Sequence, residues 1–226
     1  LYGLGITAAT GVDLNKNTFF QVSDLRYLLG AVEYHCTELA EAYVAVSTAY
    51  VGFPSIPDGP EPERTGFGGH AELYYEFDAC VTAALRVYEA SRYLLWSTFG
   101  KGTMPESFRK TLAAFKDNSQ SIPERLLRRL DQSWNTFGKR LKAYRDCIQH
   151  KSPIDYGIVT ASLRRHELGV WMVRVLIPEN PECNSRRSFV YKEELDALDY
   201  CMEVASEVLE LTAEICKIAS AEQGAR

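Results

Sequence analysis

One stretch, Ile122 to His150, constrains the fold more than any other. In IPERLLRRLDQSWNTFGKRLKAYRDCIQH the apolar residues Leu127, Leu130, Trp134, Phe137, Leu141, Tyr144 and Ile148 recur at alternating spacings of three and four. That spacing lays an apolar stripe along one side of a long helix, and other elements must cover it. The rest of its surface is basic: Arg125, Arg128, Arg129, Lys139, Arg140, Lys142 and Arg145 stand against Glu124, Asp131 and Asp146. Pro123 suits a first helical turn. Lys151-Ser152-Pro153 predicts the end, because the residue before a proline is biased out of the helical region. The helix therefore closes on a polar cluster, Arg145-Asp146-Cys147-Ile148-Gln149-His150.

The remaining periodicity supplies the covering elements. Ser23 or Asp24 can cap a helix to about Tyr50, with Leu25, Leu28, Leu29, Val32, Cys36, Leu39, Tyr43 and Val46 or Ala49 facing inward. Ala71 to Phe99 forms a second long helix, stopped by Gly100-Lys101-Gly102. Pro105 starts a shorter helix to about Lys116, and residues 117 to 121 make a turn. Lys192 to about Ser220 is the last helix, with a seam of Leu195, Leu198, Met202, Ala205, Leu209 and Thr212, widened by Cys201, Val208 and Ile215. Its outer face is acidic, including Asp196, Glu207 and Glu214. Before it, 156–163 and 169–177 read as a β-hairpin around the polar turn Arg164–Glu167. Residues 1–22 read as an extended arm, and the proline- and glycine-rich 52–69 as a long loop. The expected architecture is one mainly α domain over 1–226. It is an antiparallel bundle of about four long helices plus a short one, with the hairpin inserted before the last helix.

At 226 residues and 46% hydrophobic the chain can bury a substantial core. Its net charge of -5 argues against a broad grip on duplex DNA, as does the lack of a helix-turn-helix pattern. No run is apolar enough to span a bilayer, so no membrane partner is expected. Of six scattered cysteines, five lie inside helical patterns and read as small buried hydrophobes, and the lone thiols suggest a reducing, cytoplasmic setting. Without a CxxC pair zinc is not indicated, without a Glu-x-x-His neither is a di-iron centre, and no cofactor is expected. The chain begins at Leu1 rather than Met, which leaves room for a preceding segment. His35 reads as a partly buried polar residue or a surface histidine rather than part of a site. The FGGH at 67–70 lacks the preceding strand of a phosphate loop, so His70 reads as part of a turn. Arg186 and Arg187 lie in a loop that could reach over an anion.

The polar cluster has chemical potential. His150 can exchange a proton near neutral pH. Arg145 can hold a phosphate through two parallel hydrogen bonds, and Asp146 can orient either group. Such groups suit attack of an RNA 2'-hydroxyl on its neighbouring phosphate, which needs no metal in principle. Geometry sets a condition. Residues five apart on an unbroken helix differ by about 140° of rotation, so a break at His150 or a second copy must bring the groups together. Without that, Arg145 and His150 serve equally well as a salt-linked helix end favoured by the helix dipole.

Arg145-Asp146 with four residues before His150 resembles the Arg-x4-6-His signature of the HEPN superfamily, small helical bundles that commonly dimerise. The resemblance directly covers six residues and loosely covers the layout of 23–220. It implies Arg145 and His150 as a catalytic pair, Asp146 at the family's polar position, and a metal-independent endoribonuclease acting on single-stranded RNA at a homodimer cleft. Toxin–antitoxin and other defence systems are its usual settings, with an antitoxin or another protein as a further partner. Other members are non-catalytic and bind a protein or nucleotide, which is the alternative for this chain. On the ribonuclease reading, the basic side of the Ile122 helix and Arg186 and Arg187 draw in the RNA backbone.

Overall fold

The computed structural model describes residues 16–50, 71–117, 122–151, 154, 161–165, 171–183 and 185–224. The protein is mainly helical. Its helices are α1 (Lys16–Tyr50), α2 (Ala71–Phe99), α3 (Phe108–Asp117), α4 (Glu124–Ser133), α5 (Lys139–His150) and α6 (Ala197–Gly224). A π turn, Trp134–Gly138, joins α4 to α5. Strands β1 (Ala161–Arg165) and β2 (Trp171–Val175) pair antiparallel, with Ala161 opposite Val175 and Arg165 opposite Trp171.

Contacts between helices fix their directions. Gln21 meets Ser97 and His35 meets Glu76, so α1 and α2 run antiparallel. Tyr88 meets Ser133 and Phe77 meets Tyr144, which sets α4 and α5 antiparallel to α2. Arg129 meets Glu207 and Arg125 meets Glu214, which sets α6 antiparallel to α4. The core between them holds Leu39, Phe77, Tyr88, Leu126, Tyr144 and Val208 among others. Three thiols meet where α1, α2 and α6 converge: Cys36 Sγ lies 3.4 Å from Cys80 Sγ and 3.5 Å from the Cys201 carbonyl.

Several boundaries depart from the sequence reading. Residues 16–22 are helical rather than part of an extended arm. Ser23 Oγ donates to the Phe19 carbonyl four residues back instead of capping, and Thr18 is buried. Residues 1–15, the loop 52–69 and His70 lie outside the described residues, as do 155–160 and 166–170 of the expected hairpin region. Arg164 and Arg165, read as turn residues, belong to β1.

The last helix starts at Ala197, not Lys192. Asp196 is the reason: its carboxylate accepts from the Leu198 and Asp199 amides, the bonds of a helix N-cap. It also accepts from Tyr43 Oη and the Val175 amide, so one buried side chain ties α1, β2 and α6 together. Asp196 is therefore not on the acidic outer face, and burial holds its carboxyl above the ordinary aspartate value. The inner seam of α6 is turned as well. Cys201, Val204, Val208, Leu211 and Ile215 are buried, whereas Met202 is exposed and Leu195, Leu198 and Leu209 are half-buried.

Candidate functional site

The cluster at the end of α5 is placed by core packing. Tyr144 and Cys147 point inward and are sealed, and Tyr144 Oη donates to the Pro178 carbonyl at 2.6 Å. Arg145 and Asp146 therefore stand half-buried at the flank, and Gln149 and His150 stand in solvent.

Arg145 Nε lies 3.0 Å from Asp146 Oδ1 and is itself sealed from water, while Nη1 donates to Gln149 Oε1 at 3.4 Å. Asp146 is shared, because Lys142 Nζ donates to its other oxygen. Asp146 thus orients the guanidinium, with two cations on one carboxylate. The helix does not break at His150: the Lys151 amide still donates to the Cys147 carbonyl at 2.9 Å. Arg145 and His150 are consequently on different sides of one straight helix, about 140° apart. Of the two conditions for a joint site, a break is absent from this protomer, and only a second copy remains.

A neighbour invisible to sequence periodicity is the loop that follows β2. Lys151 Nζ donates to the carbonyls of Glu182 and Cys183, pinning the loop to the end of α5. Asn180 then braces it, donating to the Ser188 carbonyl and accepting from the Val190 amide. The short 3-10 turn Arg186–Ser188 is so held, with Arg187 exposed. The Lys151 and Asn180 side chains carry much of this information, and neither belongs to a recognisable spacing.

The basic side of the Ile122 helix is less available than its composition suggests. Arg129 makes a two-pronged bond to Glu207, Nη1–Oε1 2.6 Å and Nη2–Oε2 2.9 Å, and lies 3.8 Å from Glu214. Arg125 lies 3.6 Å from Glu214, and Arg128 3.6 Å from Glu124. Charges of α4 are largely answered by the acidic face of α6, and an RNA track along α4 would have to compete with that pairing. His35 bonds Glu76 at 2.8 Å and takes no part in the cluster.

Among the described residues no group of three or more His, Cys, Asp or Glu side chains is arranged to hold a metal ion. No described helix is long and apolar enough to cross a membrane. Compared with protein-family models, curated proteins and solved structures, the chain matches none.

Proposed function

We propose that this chain is a HEPN-like protein: four long helices with a hairpin before the last, acting as a metal-independent endoribonuclease on single-stranded RNA. Its site is the end of α5, completed by a second copy. In the reaction the RNA 2'-oxygen bonds to phosphorus while the bond to the 5'-oxygen breaks. His150 moves the proton, Arg145 stabilises the charge on the phosphate oxygens, and Asp146 orients Arg145. The observation that carries the reading is the open placement of this end: Arg145 is partly exposed, His150 is exposed, and Lys151 beside them holds the Glu182–Cys183 loop. Strand β2 packs on α1 and α6. The test incubates wild type, Arg145→Ala and His150→Ala with mixed single-stranded RNA in EDTA. Cleavage by wild type alone is expected; equal cleavage by all three, or none by wild type at high concentration, defeats the reading.

A second reading, a non-catalytic HEPN-like protein that binds a protein or nucleotide, is favoured by one observation. Asp146 and Gln149 already engage the Arg145 guanidinium from the same helix. On that reading Arg145→Ala lowers thermal stability and leaves no RNA phenotype.

A further inference from the structure

We propose that the outward face of α1, from Phe20 to Thr37, is an interface for a second copy of this chain packed antiparallel to it. Large hydrophobic side chains that stand exposed among the described residues are unevenly placed. Met202 lies on α6, and all the others lie on α1 or α2. On α1 they are ordered: Phe20, Tyr27 and Tyr34 recur every seven residues, and Ser23, Gly30 and Thr37 follow each by three. Tyr27 is 74% exposed. Each member of this row lies two positions from a buried residue, as Tyr27 from Leu25, Gly30 from Leu28 and Tyr34 from Val32. Two positions are about 200° of rotation, so the row is the back of a helix whose front is the core.

A large–small alternation at heptad spacing is the seam of a helix pair. With a two-fold axis midway between Leu28 and Leu29, Tyr27 faces Gly30 of the second copy, Tyr34 faces its Ser23, and Phe20 faces its Thr37. Every aromatic ring then enters a space left by a small residue. That space exists: a Cβ built at Gly30 meets nothing within 4 Å, and Ser23, Gly30 and Tyr34 help line an open hollow of about 660 Å³ beside Tyr27. Charge agrees with the same register. Arg26 comes beside Glu33 of the second copy, twice by symmetry, and both are exposed and without an ion pair among the described residues. The axis beside Leu28 is level with Arg86, whereas Tyr144 packs at Phe77, level with His35, so the two Arg145–His150 ends fall on opposite sides of the axis. The interface is thus separate from the contact the ribonuclease reading needs, and its fate is independent of that reading.

The test is light scattering on the full chain during size-exclusion chromatography, with melting temperature as a control for folding. Wild type is expected to be at least dimeric. Tyr27→Glu is expected to halve the particle mass with the melt preserved. Gly30→Leu removes a glycine from a helix interior, so it should raise the protomer's melting temperature while also halving the mass. Arg26→Glu should weaken association by about tenfold, and adding Glu33→Arg should restore it. Arg145→Ala should leave this contact intact. A monomeric wild type overturns the proposal, as does an assembly whose mass neither Tyr27→Glu nor Gly30→Leu changes. In either case something else covers the row, such as another part of the same chain or a different protein.

Discussion

Two segments of the chain carry nearly the same six residues and follow different paths. Trp96-Ser-Thr-Phe-Gly-Lys101 and Trp134-Asn-Thr-Phe-Gly-Lys139 differ at one position. In both, the indole lies on the glycine four residues later: a Cβ built at Gly100 falls 2.2 Å from the Trp96 ring, and one at Gly138 falls 2.2 Å from the Trp134 ring. The backbone then diverges. The Gly100 amide donates to the Trp96 carbonyl, an ordinary α-helical bond, and the helix stops; Gly102 follows at φ 76° and Pro105 soon after. In the second copy the Lys139 amide reaches back five residues to the Trp134 carbonyl, and the helix widens and continues. Lys139-Arg-Leu-Lys-Ala are strong helix formers, whereas Lys101-Gly-Thr-Met-Pro is a stop. The six residues specify a ring on a glycine; their neighbours decide whether a helix survives it.

This difference can be broken from either side. Gly138→Ala should cost most, about 3 kcal/mol by urea unfolding, because the Trp134 ring is wedged between Tyr88 and Phe108 and cannot retreat. Repeating it in a Trp134→Leu background should recover most of that loss, and additive costs would refute the ring-on-glycine account. Gly100→Ala should cost about 1.5 kcal/mol, since Trp96 is half-buried at a helix end and can swing outward. Tyr88→Phe removes the 2.6 Å bond to Ser133 Oγ just before the π turn and should cost about 1 kcal/mol. The first segment has Leu95 in place of Ser133, so no equivalent bond exists there to lose.

The smallest effect is a control. Neither segment holds a buried acid, so the gap between the two glycine variants should not vary with pH. Stability of the whole fold should vary, through Asp196. Its folded-state pKa is raised by burial, so the folded protein holds that proton more tightly than the unfolded chain does. Stability is therefore fullest below the ordinary aspartate value and falls as pH rises through the raised one. Asp196→Asn should flatten that fall; an unchanged pH profile would place its cause elsewhere.

Long helices were legible because their cores obey one period. All eight residues from Leu25 to Val46 assigned to the inner face of α1 are buried, and α2 begins and ends where its sequence signals lie. Phase was lost where something other than period acted. Along the Ile122 helix the π turn moves the buried position from Phe137 to Gly138, and Cys147 rather than Ile148 closes the stripe. Before it, Leu126 is buried in place of Leu127. Asp196 was misread as surface because an N-cap and an outer-face acid look alike until the partner strand is known. At the candidate site, spacing indicated that Arg145 and His150 point apart, and the straight helix agrees. Spacing could not indicate that Lys151 fastens a distant loop beside them, or that α6 answers the arginines of α4, since both depend on contacts between residues far apart in the chain.

The meeting of Cys36, Cys80 and Cys201 has a practical consequence. These thiols are sealed between three helices, whereas Cys183 and Cys216 are only half-buried. A thiol reagent should therefore modify the second pair while the protein stays folded. It should reach the first three only when α1, α2 and α6 part. The slow phase of such labelling, followed by intact mass, would time the opening of the core without any introduced probe.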